Sequence, residues 1–336
     1  MILHPGILAL ITGTAVVFVM LLYASAAGIR VLARWDFESS SEEQLSLERQ
    51  TYLIASIIKY ALGFELLSGL LFLYTVDDLH KVFVGAMCAT GSLNANPIGW
   101  YALYAKIIIF FAASLWIMLN SLDQKAINFP LVKPKYVALL MLTVLVGLDL
   151  FFQLGYFLGL EPEVITSCCG SLFSDNDGSV AGELAGLPPG QTMLIFYGTL
   201  ALFLTVALLC RKHETGILRY LLTLLSGAAL FVSLAAMVSF ISLYFYELPS
   251  HHCPFDVLQK NYHFIGYPLY ISLFGGVLFG LLPGIAQPLK QIESLKEVIR
   301  KSEQQWVTLS IIFMLCFLAI ASWPILFGNL SLLRTT

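Results

Sequence analysis

Eight apolar runs divide this sequence, each close to the roughly 20 residues that carry a helix across the hydrocarbon core of a bilayer. They cover about 7–33, 50–75, 98–121, 136–160, 191–211, 217–246, 263–283 and 306–328. The longer ones must tilt or extend past the hydrocarbon. A water-soluble chain could not bury so much apolar surface: 58% of the 336 residues are hydrophobic and 12% are charged, about half the charged share of an ordinary globular protein. In lipid a helix satisfies its own backbone polar groups. The expected fold is therefore all-α, a polytopic membrane protein of about eight transmembrane helices forming a single transmembrane helical domain over 1–336, with the lipid bilayer as its first partner. The net charge of −3 gives no basic footprint for a nucleic acid. No low-complexity tract or long linker separates two parts.

The first run, Ile7 to Tyr23, followed by Ala24-Ser25-Ala26, has the outline of a secretory signal. Its charge polarity is the reverse of one: no Lys or Arg precedes it, whereas Arg30 and Arg34 follow. It is expected to be a first membrane helix with its N-terminus outside. Arg30, Arg34 and Arg49 flank the first loop, Lys125, Lys133 and Lys135 the third, Arg211, Lys212 and Arg219 the fifth, and Lys290, Lys296, Arg300 and Lys301 the seventh. The even loops hold only Lys81 and Lys260. Basic residues favour the cytoplasmic side, so both termini and the loops at about 76–97, 161–190 and 247–262 are expected outside, periplasmic if the membrane is a bacterial inner membrane.

The seventh loop carries structure of its own. Pro283-Gly284 and Pro288 break the preceding run. Ile292, Leu295 and Ile299 then form a stripe at helical spacing, with Glu297 and Lys301 one turn apart. An amphipathic cytoplasmic segment is expected over about 286–305, either lying on the inner leaflet or extending the last span inward.

The cysteines carry the chemistry. Four of the six lie in expected exterior loops: Cys88 in the first, Cys168 and Cys169 in the second, Cys253 in the third. Cys210 and Cys316 sit in or beside apolar runs, where a thiol behaves as a small hydrophobe. An oxidising exterior permits disulfides, and four cysteines allow three pairings. A vicinal Cys168–Cys169 bond would be strained, which favours pairing between loops. Two structural disulfides clamping the loops are one expectation. A thiol-redox or soft-metal site is the other. Met87 precedes Cys88, and His251 and His252 precede Cys253; His80 and His263 stand at the ends of the same two loops. Thiolate, thioether and imidazole together suit copper(I) and in part zinc. The candidate metal ligands are thus Met87, Cys88, Cys168, Cys169, His251, His252 and Cys253, with the four thiols as candidate redox groups.

The third exterior loop reads His251-His252-Cys253-Pro254-Phe255-Asp256, then Tyr262-His263-Phe264-Ile265-Gly266-Tyr267-Pro268. Cys-Pro-Phe-Asp resembles the Cys-Pro-x-Cys of thiol-disulfide proteins, with Asp256 where the second cysteine would stand. A resolving sulfur must then come from another loop. The stretch, together with the Cys88 loop, also resembles uncharacterised bacterial multispan proteins associated with periplasmic copper or c-type cytochrome maturation. The resemblance implies copper or thiol handling in support of exported redox proteins, with such a protein or other membrane subunits as partners.

Ionisable residues fall inside the runs as well. Glu65, Lys106 and Asp149 lie in the second, third and fourth, each about ten residues or roughly 15 Å from the exterior end at helical rise. A charge at mid-membrane costs about 2.5–3.5 kcal/mol even on lenient scales, so partners are expected. Lys106 is expected to pair with Glu65 or Asp149, and Gln153, one turn from Asp149, to extend the network.

Three function classes remain. One is thiol-redox or copper handling at the exterior face. A second is a transporter for a metal ion or small solute. A third is a membrane anchor or quinone-linked subunit of a redox complex; haem b is disfavoured because no histidine is clearly mid-membrane. The phosphate-binding, zinc-protease and nucleophile-elbow motifs of soluble enzymes are missing.

Overall fold

The computed structural model describes residues 3–36, 41–126, 128–161, 164–166 and 180–330. Its helices are α1 (Pro5–Arg34), α2 (Glu42–Leu79), a short α3 (Ala89–Asn94), α4 (Gly99–Lys125), α5 (Val132–Leu158), a short α6 (Val180–Ala185), α7 (Pro189–Lys212), α8 (Gly216–Tyr246), α9 (Gly266–Ile285) and α10 (Glu293–Phe327). All except α3 and α6 are long and apolar enough to cross a membrane, eight in number among the described residues. The described residues hold no strand, only an isolated bridge between Val84 and Ile165. The chain is an all-α integral membrane protein. Of the two forms expected for the segment before the last span, a helical continuation of that span is present. Gln287–Gln291 is a 3-10 turn, and α10 then runs unbroken with Leu295 and Ile299 buried.

The helices group into two compact units. The first comprises Met1–Val76, Leu93–Pro162 and Lys290–Ile299. Here α5 packs against both α1 and α4. Pro5 opens α1, where its missing N–H costs nothing, and His4 Nδ1 accepts from Gly6 N. The core is apolar and aromatic, with Val17, Leu21, Ile58, Leu62, Trp116 and Tyr136 among its buried members. Lipid offers helices no hydrophobic reason to associate, so close approach through small residues and interhelical hydrogen bonds does the work. Gly28 of α1 illustrates the first: a Cβ there would lie 2.5 Å from Tyr136 Cδ1 of α5. Ser25 and Thr143 illustrate the second, their hydroxyls 2.8 Å apart across the same pair.

The second unit comprises Asp77–Ser92, Glu163–Leu289 and Arg300–Thr336. Within it α8 packs against α7 and α9. Ser310 of α10 donates to Gly276 O of α9 at 2.7 Å, again through a glycine contact. Near its end α8 widens into a π-helical turn, Met237–Ile241, whose five residues are all buried. Ser242 donates its hydroxyl to Met237 O across that turn. The helix then closes at Tyr246, and Glu247 takes a left-handed conformation that turns the chain into the loop before α9.

Candidate functional site

The loop after α8 is held from both flanking helices. Tyr246, the last residue of α8, donates its hydroxyl to Cys253 O at 2.6 Å and accepts from Val257 N at 3.0 Å. Tyr270, in the first turn and a half of α9, donates to Pro254 O at 2.6 Å. Pro254 cannot donate and forbids a helix through the cysteine, so Phe255 N is left to meet Cys253 Sγ at 3.4 Å. The chain then enters a 3-10 turn at Asp256–Leu258.

The Cys88 loop is held differently. Gly85 has φ +87°, and a Cβ there would strike Thr166 O; only glycine suits that combination. Thr166 N donates to Val84 O at 3.0 Å, which ties the loop to the segment following Glu163. Asp77 Oδ1 accepts from Ala89 N at 3.2 Å, just after Cys88. Gln259 reaches over from the other loop, its Nε2 donating to Met87 O at 2.6 Å and to Asp77 Oδ1 at 3.4 Å.

These restraints bring Cys88 and Cys253, 165 residues apart in sequence, to a sulfur–sulfur distance of 3.3 Å. Both are fully buried. Thr90 Oγ1 lies 3.5 Å from Cys253 Sγ. Asp256 completes the group: ligand atoms of Cys88, Cys253 and Asp256 all fall within 4.8 Å of one another. Asp256 Oδ2 is taken by His251 Nε2 at 2.5 Å, whereas Oδ1 is buried with no hydrogen-bond partner. A buried acceptor left so costs roughly 1–3 kcal/mol, a cost a ligand at that oxygen would remove. The ring of Tyr246 packs edge-on against His251 and Tyr262, with centroids 4.7 and 4.8 Å away. Burial pushes the Tyr262 hydroxyl above its ordinary pKa, so it stays protonated beside the group.

The remaining candidates are placed as follows. Met87 has an exposed side chain and contributes its carbonyl to Gln259. His251 acts on the group through Asp256. His252 Nδ1–H donates to Val238 O at 2.9 Å, in the π-helical turn. His80 is hydrogen-bonded to Asp77 O, and His263 occupies a left-handed turn position. Cys210 is buried, with Sγ 3.3 Å from Leu218 O, and Cys316 is exposed on α10. Cys168 and Cys169 lie outside the described residues. Sequence reasoning did not include Asp256 among the ligands. Its signal was the spacing itself, a carboxylate three residues after Cys253.

No family model, curated protein or solved structure matches this chain. The chemistry of the site thus stands alone as a guide to function. Two thiols suit soft metals, and a carboxylate added to them moves the set toward zinc. Two thiolates on one tetrahedral ion at about 2.3 Å stand about 3.8 Å apart. The pair as found would need to open by roughly half an ångström. The donor set and the orphaned Oδ1 fit such an ion.

The intramembrane charges form a separate group in the first unit. Lys106 Nζ lies 2.8 Å from Asp149 Oδ2 and 3.2 Å from Glu65 Oε2. It also donates to Ser68 Oγ at 2.8 Å and Thr14 Oγ1 at 3.4 Å. Gln153 Nε2 donates to Asp149 Oδ2 at 2.7 Å and Thr14 Oγ1 at 3.2 Å. Four helices, α1, α2, α4 and α5, each supply a member. A second buried pair went unnoticed in the sequence because both residues flank a short loop. Lys135 Nζ lies 2.5 Å from Asp123 Oδ2, and Asp123 Oδ1 accepts from Leu131 N at 2.8 Å.

Proposed function

We propose that this membrane protein handles a soft metal ion of the copper(I) and zinc class through Cys88, Cys253 and Asp256. The observation that carries the proposal is the convergence of two buried thiols and an orphaned carboxylate oxygen from two separate loops. Burial favours a small occupant. Exchange with a protein thiol needs an open line of attack on a sulfur, and both sulfurs are fully covered. The bias of basic residues supports an exterior position for these loops, periplasmic in a bacterial inner membrane. There the ion would serve the maturation of an exported redox protein.

Anaerobic purification followed by elemental analysis for copper, zinc and iron tests this. About one copper or zinc per chain is expected, falling to background in a Cys88→Ser/Cys253→Ser variant of unchanged elution volume. Equal metal content in that variant would sink the proposal.

One observation favours a second reading. A sulfur–sulfur distance of 3.3 Å is about 1.3 Å from bonding distance. Cys88 and Cys253 would then interconvert between dithiol and disulfide, each closure releasing two protons and passing two electrons to a small two-electron acceptor of the quinone class. A metal-free protein whose count of reactive thiols, after denaturation, rises by two on reduction would support this reading over the first.

A further inference from the structure

The two buried ion groups of the first unit differ in their charge count. At Asp123 and Lys135 one carboxylate meets one ammonium, and both oxygens of Asp123 are occupied. That is a closed pair, with nothing left to bind. At Lys106 two carboxylates meet one ammonium. If both were ionised, the group would hold a net charge of −1 among side chains no more than 4% exposed. Three oxygens there are buried without a hydrogen-bond partner: Glu65 Oε1, Asp149 Oδ1 and Gln153 Oε1.

These two facts point to the same missing particle. A buried uncompensated charge is normally removed by protonation rather than tolerated. A proton on Glu65 Oε1 or Asp149 Oδ1 would bring the net charge to zero and convert an orphaned acceptor into a donor. Gln153 Oε1, on the same face of α5 as Asp149, is an unused acceptor. The polar groups against the pair are Thr14 of α1, Lys106 of α4 and, one turn from Glu65 on α2 itself, Ser68. Of these only Lys106 carries charge, so no second cation competes with the proton.

We infer that the Glu65–Lys106–Asp149 cluster binds one exchangeable proton, shared by the two carboxylates, and is a proton-carrying site within the membrane. Loaded, the site is neutral; unloading gives one proton to water and leaves a charge of −1. A helix bundle that gains a buried charge on unloading has a reason to open or shift at that moment, as a proton-coupled membrane protein requires.

Infrared spectroscopy of the full-length protein in lipid tests this through the carbonyl stretch of a protonated carboxylic acid. Wild type should show such a band, shifted in deuterated water and lost at high pH. Glu65→Gln and Asp149→Asn each leave one carboxylate for one ammonium, so either change removes the need for the proton while Lys106 stays paired. Loss of the band in either variant, with folding verified by elution volume, assigns the proton to the cluster. Persistence in both variants overturns the inference. So does a wild-type band that is absent, or that responds to neither pH nor deuterium, a check that needs no variant to fold.

Discussion

Replacing Lys106 by methionine removes the ammonium that Glu65 and Asp149 share at 3.2 and 2.8 Å. Methionine fills most of the same volume, so the change is electrostatic rather than a cavity. Breaking a buried pair by removing one partner costs about 3–5 kcal/mol. A second route gives the same size. A stranded carboxylate can take up a proton instead, and neutralising an ordinary carboxylate of pKa about 4 at pH 7 costs about 4 kcal/mol. This route also fixes a sign. The folded variant would hold a proton that the unfolded chain lacks above about pH 4. Its stability deficit should therefore shrink by about 1.4 kcal/mol for each unit of acidification from neutrality. Denaturant unfolding in mild detergent, followed by tryptophan fluorescence at pH 7 and pH 5, measures both quantities. Adding Glu65→Gln and Asp149→Asn to the same chain should recover most of the loss. A Lys106→Met protein as stable as wild type at neutral pH, or equally destabilised at both pH values, would refute the reasoning.

Other outcomes follow from single contacts. Asp123→Asn strands Lys135 and should lower stability by about 3–5 kcal/mol, with Lys135→Met restoring part of it in the double variant, read by the same denaturation assay. His251→Ala frees Asp256 from its orienting partner and should weaken metal retention about 10–100-fold, measured by competition with a chromophoric chelator. Gly85→Ala forces a side chain into a left-handed position against Thr166 O, a strain of about 1–3 kcal/mol. Faster labelling of Cys88 by a small maleimide should report the loosened loop, and unchanged labelling would count against it.

The spans were legible in the sequence because lipid imposes a length and a composition on every crossing helix, and eight runs met both. The depth of Glu65, Lys106 and Asp149 was legible for the same reason: helical rise converts residue number into distance. The direction of each side chain was not. That both carboxylates reach Lys106 depends on the rotation of α2, α4 and α5, which packing around residues such as Gly28 and Tyr136 decides. In the loops no such ruler exists. Cys88 meets Cys253 because Gln259 bridges to Met87 O and Asp77, and because Tyr246 and Tyr270 fix the turn. Each of these contacts joins residues whose spacing follows no period. Asp256 was read against a sequence pattern as a missing cysteine, whereas the structure makes it a third polar member of the group.

The π-helical turn at Met237–Ile241 sets the phase of everything after it in α8. A regular helix advances about 100° per residue, and a π turn accommodates one extra residue. Winding the same residues as a regular helix, with none deleted, would swing Tyr246 by about 100° around the helix axis. Its hydroxyl would then leave both Cys253 O and Val257 N, and Val238 O would no longer face His252. The angular timing of one helix end is thus written into five buried residues well before the loop it controls.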